Sequence, residues 1–87
     1  MNKFAHSVRI RCYAEHDLNL IVQWCQQQWP EEYQMTWGYH HVAIGFTCER
    51  RAANGVMEYA GWHSNDFVFA HQEQAAAFML VWSHCLV

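Results

Sequence analysis

The sequence predicts an α+β fold, a two-layer sandwich in which a mainly antiparallel sheet carries two helices on one face. Three observations lead there. Apolar and polar residues alternate in several short stretches, the period-two signature of half-buried strands. Two longer stretches change to the 3.6-residue period of a helix. Between them, strand-like stretches follow one another through short turn signals, which favours hairpins over crossovers and segregates the helices to one face. The expected order is β-α-β-β-β-β-α, one domain over residues 1–87, because chains of this length rarely divide.

Ser7 to Tyr13 sets Val8, Ile10 and Cys12 on one face and Arg9, Arg11 and Tyr13 on the other. Asp17 reads as an N-cap, its carboxylate free to accept orphan backbone N–H groups. Leu18, Ile21, Val22, Cys25 and Trp29 then mark one face of a helix that Pro30 ends, since the residue before proline is pushed out of the α region. Tyr33 to Trp37 reads as a second strand, with a turn at Gly38 and Tyr39. In a third strand, His41 to Glu49, the apolar set is Val42, Ile44, Phe46 and Cys48, and His41, Ala43, Gly45, Thr47 and Glu49 face outward. Gly45 in mid-strand points to a bulge or a close backbone approach.

Arg50 to Gly55 reads as a loop, and Asn54-Gly55 is a hairpin signal because both residues tolerate positive φ. Val56 to Trp62 is a fourth strand whose buried face is ambiguous. His63 to Asp66 is turn chemistry, and Phe67 to Ala70 a fifth strand. The closing helix, Gln72 to Cys85, repeats Ala75, Phe78, Met79 and Trp82 at helical spacing.

Five Trp, five Phe and four Tyr stand in a chain with 15% charged residues. A buried aromatic removes ~150–250 Å² from water, so a dozen can hold a small sandwich together. The surplus should be exposed, and an exposed aromatic patch marks a contact surface. A net charge of −3 lacks the basic excess of a general nucleic-acid binder, although seven histidines would bring it toward zero below neutral pH. Four cysteines without a CxxC pair, and the lack of an apolar leader or a membrane-length run, fit a cytoplasmic protein with reduced thiols and no membrane partner.

Zinc sites usually draw ligands from close pairs, and the close pairs here, His40-His41 and His84-Cys85, are adjacent residues that diverge in a strand or helix. No metal or other cofactor is expected. Cys85 beside His84 is the neighbouring nucleophile and base, but consecutive helical residues do not face each other, and there is no GxSxG, HExxH, P-loop or GxGxxG, so catalysis is not expected. The sheet face opposite the helices carries Arg9, Arg11, Tyr13, His41, Thr47 and Tyr59, with Arg50 and Arg51 beside it. These are the candidate binding residues. Few charges, many aromatics and arginines are what interface cores are enriched in, so a protein partner or a homo-oligomer is the leading expectation. Single-stranded nucleic acid on the same open face is the alternative, although the RNP pattern of base-stacking sheets is absent.

In the closing stretch, Phe67, Phe69, Ala75, Phe78, Leu80 and Trp82 form F-x-F, a short polar joint and A-x-x-F-x-L-x-W. It resembles the ends of small tailed-phage proteins. The resemblance implies a phage-encoded accessory protein that binds and inhibits a host enzyme or defence complex. It carries over no functional residue, because the matching positions are of core type.

Overall fold

The alternation of the first stretch becomes strand β1, His6–Cys12, with Val8, Ile10 and Cys12 buried and Arg9 turned out. The computed structural model describes residues 3–13, 15–51, 55 and 57–86, and for residues 15, 16, 46–51 and 57–60 the backbone alone. After β1 come helix α1, Glu15–Gln28, strand β2, Trp37–Arg51, strand β3, Met57–Phe69, and helix α2, Gln72–Val81, followed by a 3₁₀ turn at Ser83–Cys85. The three strands form one antiparallel sheet in the order β1-β3-β2. One core joins Val8, Ile10, Cys12, Trp37, Phe67 and Phe69 of the sheet to Ile21 and Cys25 of α1 and Ala75 and Phe78 of α2. Both helices therefore cover the same face, as the pattern predicts. No helix among the described residues is long and apolar enough to cross a membrane.

Among the described residues the five expected strands are three. Of the expected strand at Tyr33 to Trp37 only Trp37 is strand, the first residue of β2: Glu31 and Gln34 take positive φ, and the Glu32 carbonyl accepts from the N–H groups of Met35 and Thr36, both at 2.9 Å, closing a turn. Gly38 and Tyr39 lie within β2, paired with Val68 and Phe67. The expected turn at His63 to Asp66 is the centre of β3, where Ser64 and Asn65 are buried between two ladders. A central strand offers hydrogen bonds on both edges, and that outweighs the weak strand propensity of Ser, Asn and Asp. Arg50 and Arg51 extend β2 rather than starting a loop. Gly55 takes φ 87, as the hairpin signal requires, while Asn54 lies outside the described residues.

Asp17 does not cap α1, which begins two residues earlier, so its carboxylate sits in the first turn, where the helix dipole favours negative charge. Pro30 follows the helix end at Gln28 as expected. In α2 the buried stripe is Gln74, Ala75 and Phe78, whereas Met79 is 42% exposed and Trp82 packs only partly against the core. Gln74 is buried because both ends of its amide are used. Its Oε1 accepts the His71 N–H at 3.3 Å, and its Nε2 donates to Thr36 Oγ1 at 2.9 Å. Thr36 Oγ1 in turn donates to Glu32 Oε1 at 3.1 Å, so this relay ties the start of α2 to the turn before β2.

Two consequences are measurable. Phe78→Ala removes a fully buried ring and should cost ~3–5 kcal/mol, a large part of the ~5–15 kcal/mol a small domain holds. Met79→Ala should stay within about 1 kcal/mol, and equal urea midpoints for the two variants would show the helix phase to be wrong.

Burial pushes the Cys12 thiol up to about 11, with the Cys85 and Asp17 charges adding to it, and the Cys25 thiol up to about 12. Because the folded values are raised, their contribution to stability is full below the ordinary 9.0 and is lost as pH rises through about 11 and about 12. Neither thiol should take up iodoacetamide in the native protein at mildly alkaline pH, and both should on unfolding. Mass spectrometry of the modified peptides checks this.

Candidate binding surface

The sheet face away from the helices is built in rungs. On one, Asp66 of β3 stands between Arg9 of β1 and His40 of β2. Arg9 Nε donates to Asp66 Oδ1 at 2.8 Å and Nη2 to Oδ2 at 3.1 Å, a bidentate pair, and His40 Nε2 lies 3.6 Å from Oδ2. The hydrogen-bonded guanidinium holds the Asp66 carboxyl below its usual value and is itself raised by it. The Arg9 side chain is 52% exposed, so water and salt screen the pair and it fixes geometry more than it stabilises.

Two residues along β1, Arg11 lies with its guanidinium carbon 4.5 Å from the centroid of the Trp62 ring. Trp62 is paired with Gly45, and a Cβ placed there would stand 2.1 Å from the indole Cζ2. Gly45 thus lets the indole lie flat across β2, the close approach that a mid-strand glycine signals. A cation over an indole face is held by the ring quadrupole, which fixes the plane of the guanidinium before any ligand arrives. Arg11 Nε is buried there without a hydrogen-bond partner.

Beyond Arg11 a cleft of ≈ 220 Å³ opens between the end of β1 and the C-terminal turn, lined by Arg11, Tyr13, His84, Cys85 and Leu86. An antiparallel bridge from Leu86 to Ile10 on the outer edge of β1 closes its floor. The cleft offers a fixed cation beside a phenol and an imidazole, a set suited to a carboxylate-bearing side chain. Burial, with the Asp17 charge added, raises the Cys85 thiol. The thiolate is the nucleophile, so this pair with His84 is poorly armed for covalent chemistry. Among the described residues no group of three or more His, Cys, Asp or Glu could hold a metal.

Arg9 and Arg11 stand on the open face, paired with Asp66 and Ser64, and Tyr13, just past the end of β1, lines the cleft with Arg11. His41 does not stand on that face. A register shift between His41 and Ala43 inserts Val42 as a bulge, so His41 pairs with Asn65 on the helix side while Ala43 pairs with Ser64 on the open side. Thr47, Arg50, Arg51 and Tyr59 lie in the part of the hairpin beyond β1, paired with Ala60, Glu58, Met57 and Cys48, and their side chains lie outside what the structure describes. His40, Trp62, Asp66 and His84 belong to the surface and escaped the sequence reading. Trp62 stood on a strand of ambiguous phase, and Asp66 looked like part of a turn.

The edge of the sheet is the other half of the surface. β1 pairs only with residues 63–69 of β3, whereas β2 pairs along 57–69. The hairpin therefore runs past the helices and β1 and gives the molecule its 51 Å long axis against 26 and 18 Å. As the last strand of the sheet, β2 turns its outer edge to solvent, with Val42 38% and Ile44 60% exposed. Comparison with protein-family models, with curated proteins and with solved structures finds no match.

Gly45→Ala should displace the indole and cost about 1–3 kcal/mol, the usual penalty of overpacking. The readout is a red-shifted Trp emission with a lower urea midpoint, and an unchanged spectrum and midpoint would refute the flat stack.

Proposed function

We propose that this chain is a small non-enzymatic protein-binding domain. The observation that carries the reading is the outer edge of strand β2, which among the described residues has no neighbouring strand beyond the single Tyr33–Trp37 bridge at its start. Such an edge is a row of unpaired N–H and C=O groups to which an extended segment of a partner adds as a further strand. The Arg11–Trp62 pair and the adjoining cleft supply side-chain anchors of the aromatic and arginine type that dominate interfaces. The buried thiols of Cys12 and Cys25, raised by burial, fit a role without covalent chemistry. The resemblance of the closing stretch to small tailed-phage proteins narrows the proposal to a phage-encoded inhibitor or accessory factor, acting in the host cytoplasm on the surface of a host enzyme or defence complex.

A tagged full-length chain should recover a partner from bacterial lysate at modest salt. Val42→Lys and Ile44→Lys, at exposed positions of the free edge, should lose it while keeping the native circular dichroism. Recovery of no partner, or recovery unchanged by both substitutions, would sink the edge as the binding element.

The Arg11–Trp62 stack also favours a second reading, single-stranded nucleic acid on the open face, since an unstacked base can lie on an arginine guanidinium plane. A salt-sensitive mobility shift with a single-stranded oligonucleotide, lost in Arg9→Ala/Arg11→Ala, would put that reading first.

A further inference from the structure

We infer that His41 and His63 together bind a divalent transition-metal ion of the Cu²⁺, Ni²⁺ or Zn²⁺ class. Their rings lie 5.7 Å apart, centroid to centroid, at an interplanar angle of 62°. An ion ~2.0–2.1 Å from one nitrogen of each imidazole sits about 3.2 Å from each ring centre, so a shared ion separates the centres by about 5.2 Å at a tetrahedral angle and about 6.4 Å at a linear one. The observed spacing falls inside that window. Both rings are exposed, so the ion can reach them and keep water in its remaining positions.

The pair is a product of the sheet register. His41 opposes Asn65, and His63 lies two residues from Asn65 on the same face of β3. His40, next in the chain, stands on the other face beside Asp66 and takes no part. Asn65 gives the independent observation. It is 2% exposed, and its Nδ2 has no hydrogen-bond partner. A metal-bound imidazole carries an N–H on its second nitrogen and is usually oriented by an acceptor. Turning the Asn65 carboxamide over presents Oδ1 in place of the unpartnered Nδ2, on the rung that His41 occupies.

Two imidazoles with water make an open site that follows the general order of divalent affinities, with Cu²⁺ bound most tightly.

The test uses the full-length chain, freed of metal by chelator and titrated calorimetrically with CuCl₂, NiCl₂ and ZnCl₂ near neutral pH. One saturable site per chain is expected. His41→Ala and His63→Ala should each abolish it, and His40→Ala should leave it intact. The substituted rings are exposed, and circular dichroism confirms that the fold is kept. Asn65→Asp, which keeps an acceptor and loses the donor, should retain the site. The inference is overturned if no saturable binding appears with any of the three ions, if binding survives both single substitutions, or if His40→Ala weakens it as much.

Discussion

Phe78 is the joint on which the two layers meet. Its ring lies 4.9 Å from Phe67 and 5.2 Å from Phe69 of β3, and 6.2 Å from Trp24 of α1. From these, contacts spread through Trp29, which meets Phe69 at 5.7 Å, and through Tyr39, stacked on Phe67 at 5.2 Å. A single side chain of α2 thus links the central strand to the other helix, and the ring-to-ring chain reaches β2. Offset and edge-on pairs of this kind are each worth ~0.5–1.5 kcal/mol beyond the area they bury. That matters in a chain of this length, where the fraction of surface buried on folding is low.

The aromatic joint also limits what the helices can cover. α1 and α2 pack where Val8, Ile10, Phe67 and Phe69 stand, and the hairpin continues past them. Further along the helix side of the sheet, Ile44, patterned for burial, is 60% exposed. The open face, by contrast, is closed over by its own side chains: Arg9 by Asp66, and Gly45 by Trp62 and Arg11 in turn. The least self-satisfied part of the molecule is therefore the edge of β2 and the uncovered helix side beside it.

Much of the fold was legible because it rests on periodicity that tertiary context left alone. Val8, Ile10 and Cys12 of β1, Ile21 and Cys25 of α1, and Ala75 and Phe78 of α2 are buried where their spacing places them. The failures share one cause, a polar or turn-forming residue whose partner lies far away in sequence. Asp66 is strand because Arg9 meets its carboxylate, and Asn65 because it sits between two ladders. Gln74 is core because Thr36 takes its amide. Tyr33 and Met35 alternate like a strand, yet positive φ at Glu31 and Gln34 turns the chain around them. Of the candidate surface, Arg9 and Arg11 were readable from a clean alternation. Trp62 and the His41–His63 pair were not, since each depends on how β2 is aligned with β3.

That alignment turns on one residue. With no bulge at Val42, His41 would share the open side with Ala43 and Gly45, as strict alternation expects. The inserted residue moves His41 to the helix side, opposite Asn65 and within reach of His63, and leaves Ala43 and Gly45 as the small floor on which Trp62 lies. Bulges re-aim side chains and accentuate local twist, and they are over-represented at sheet edges and near functional sites. Here a single insertion in the edge strand divides the chemistry between two faces. It leaves Gly45 and the indole over it on one side and the imidazole pair on the other, and Val42 itself stays exposed on the edge between them.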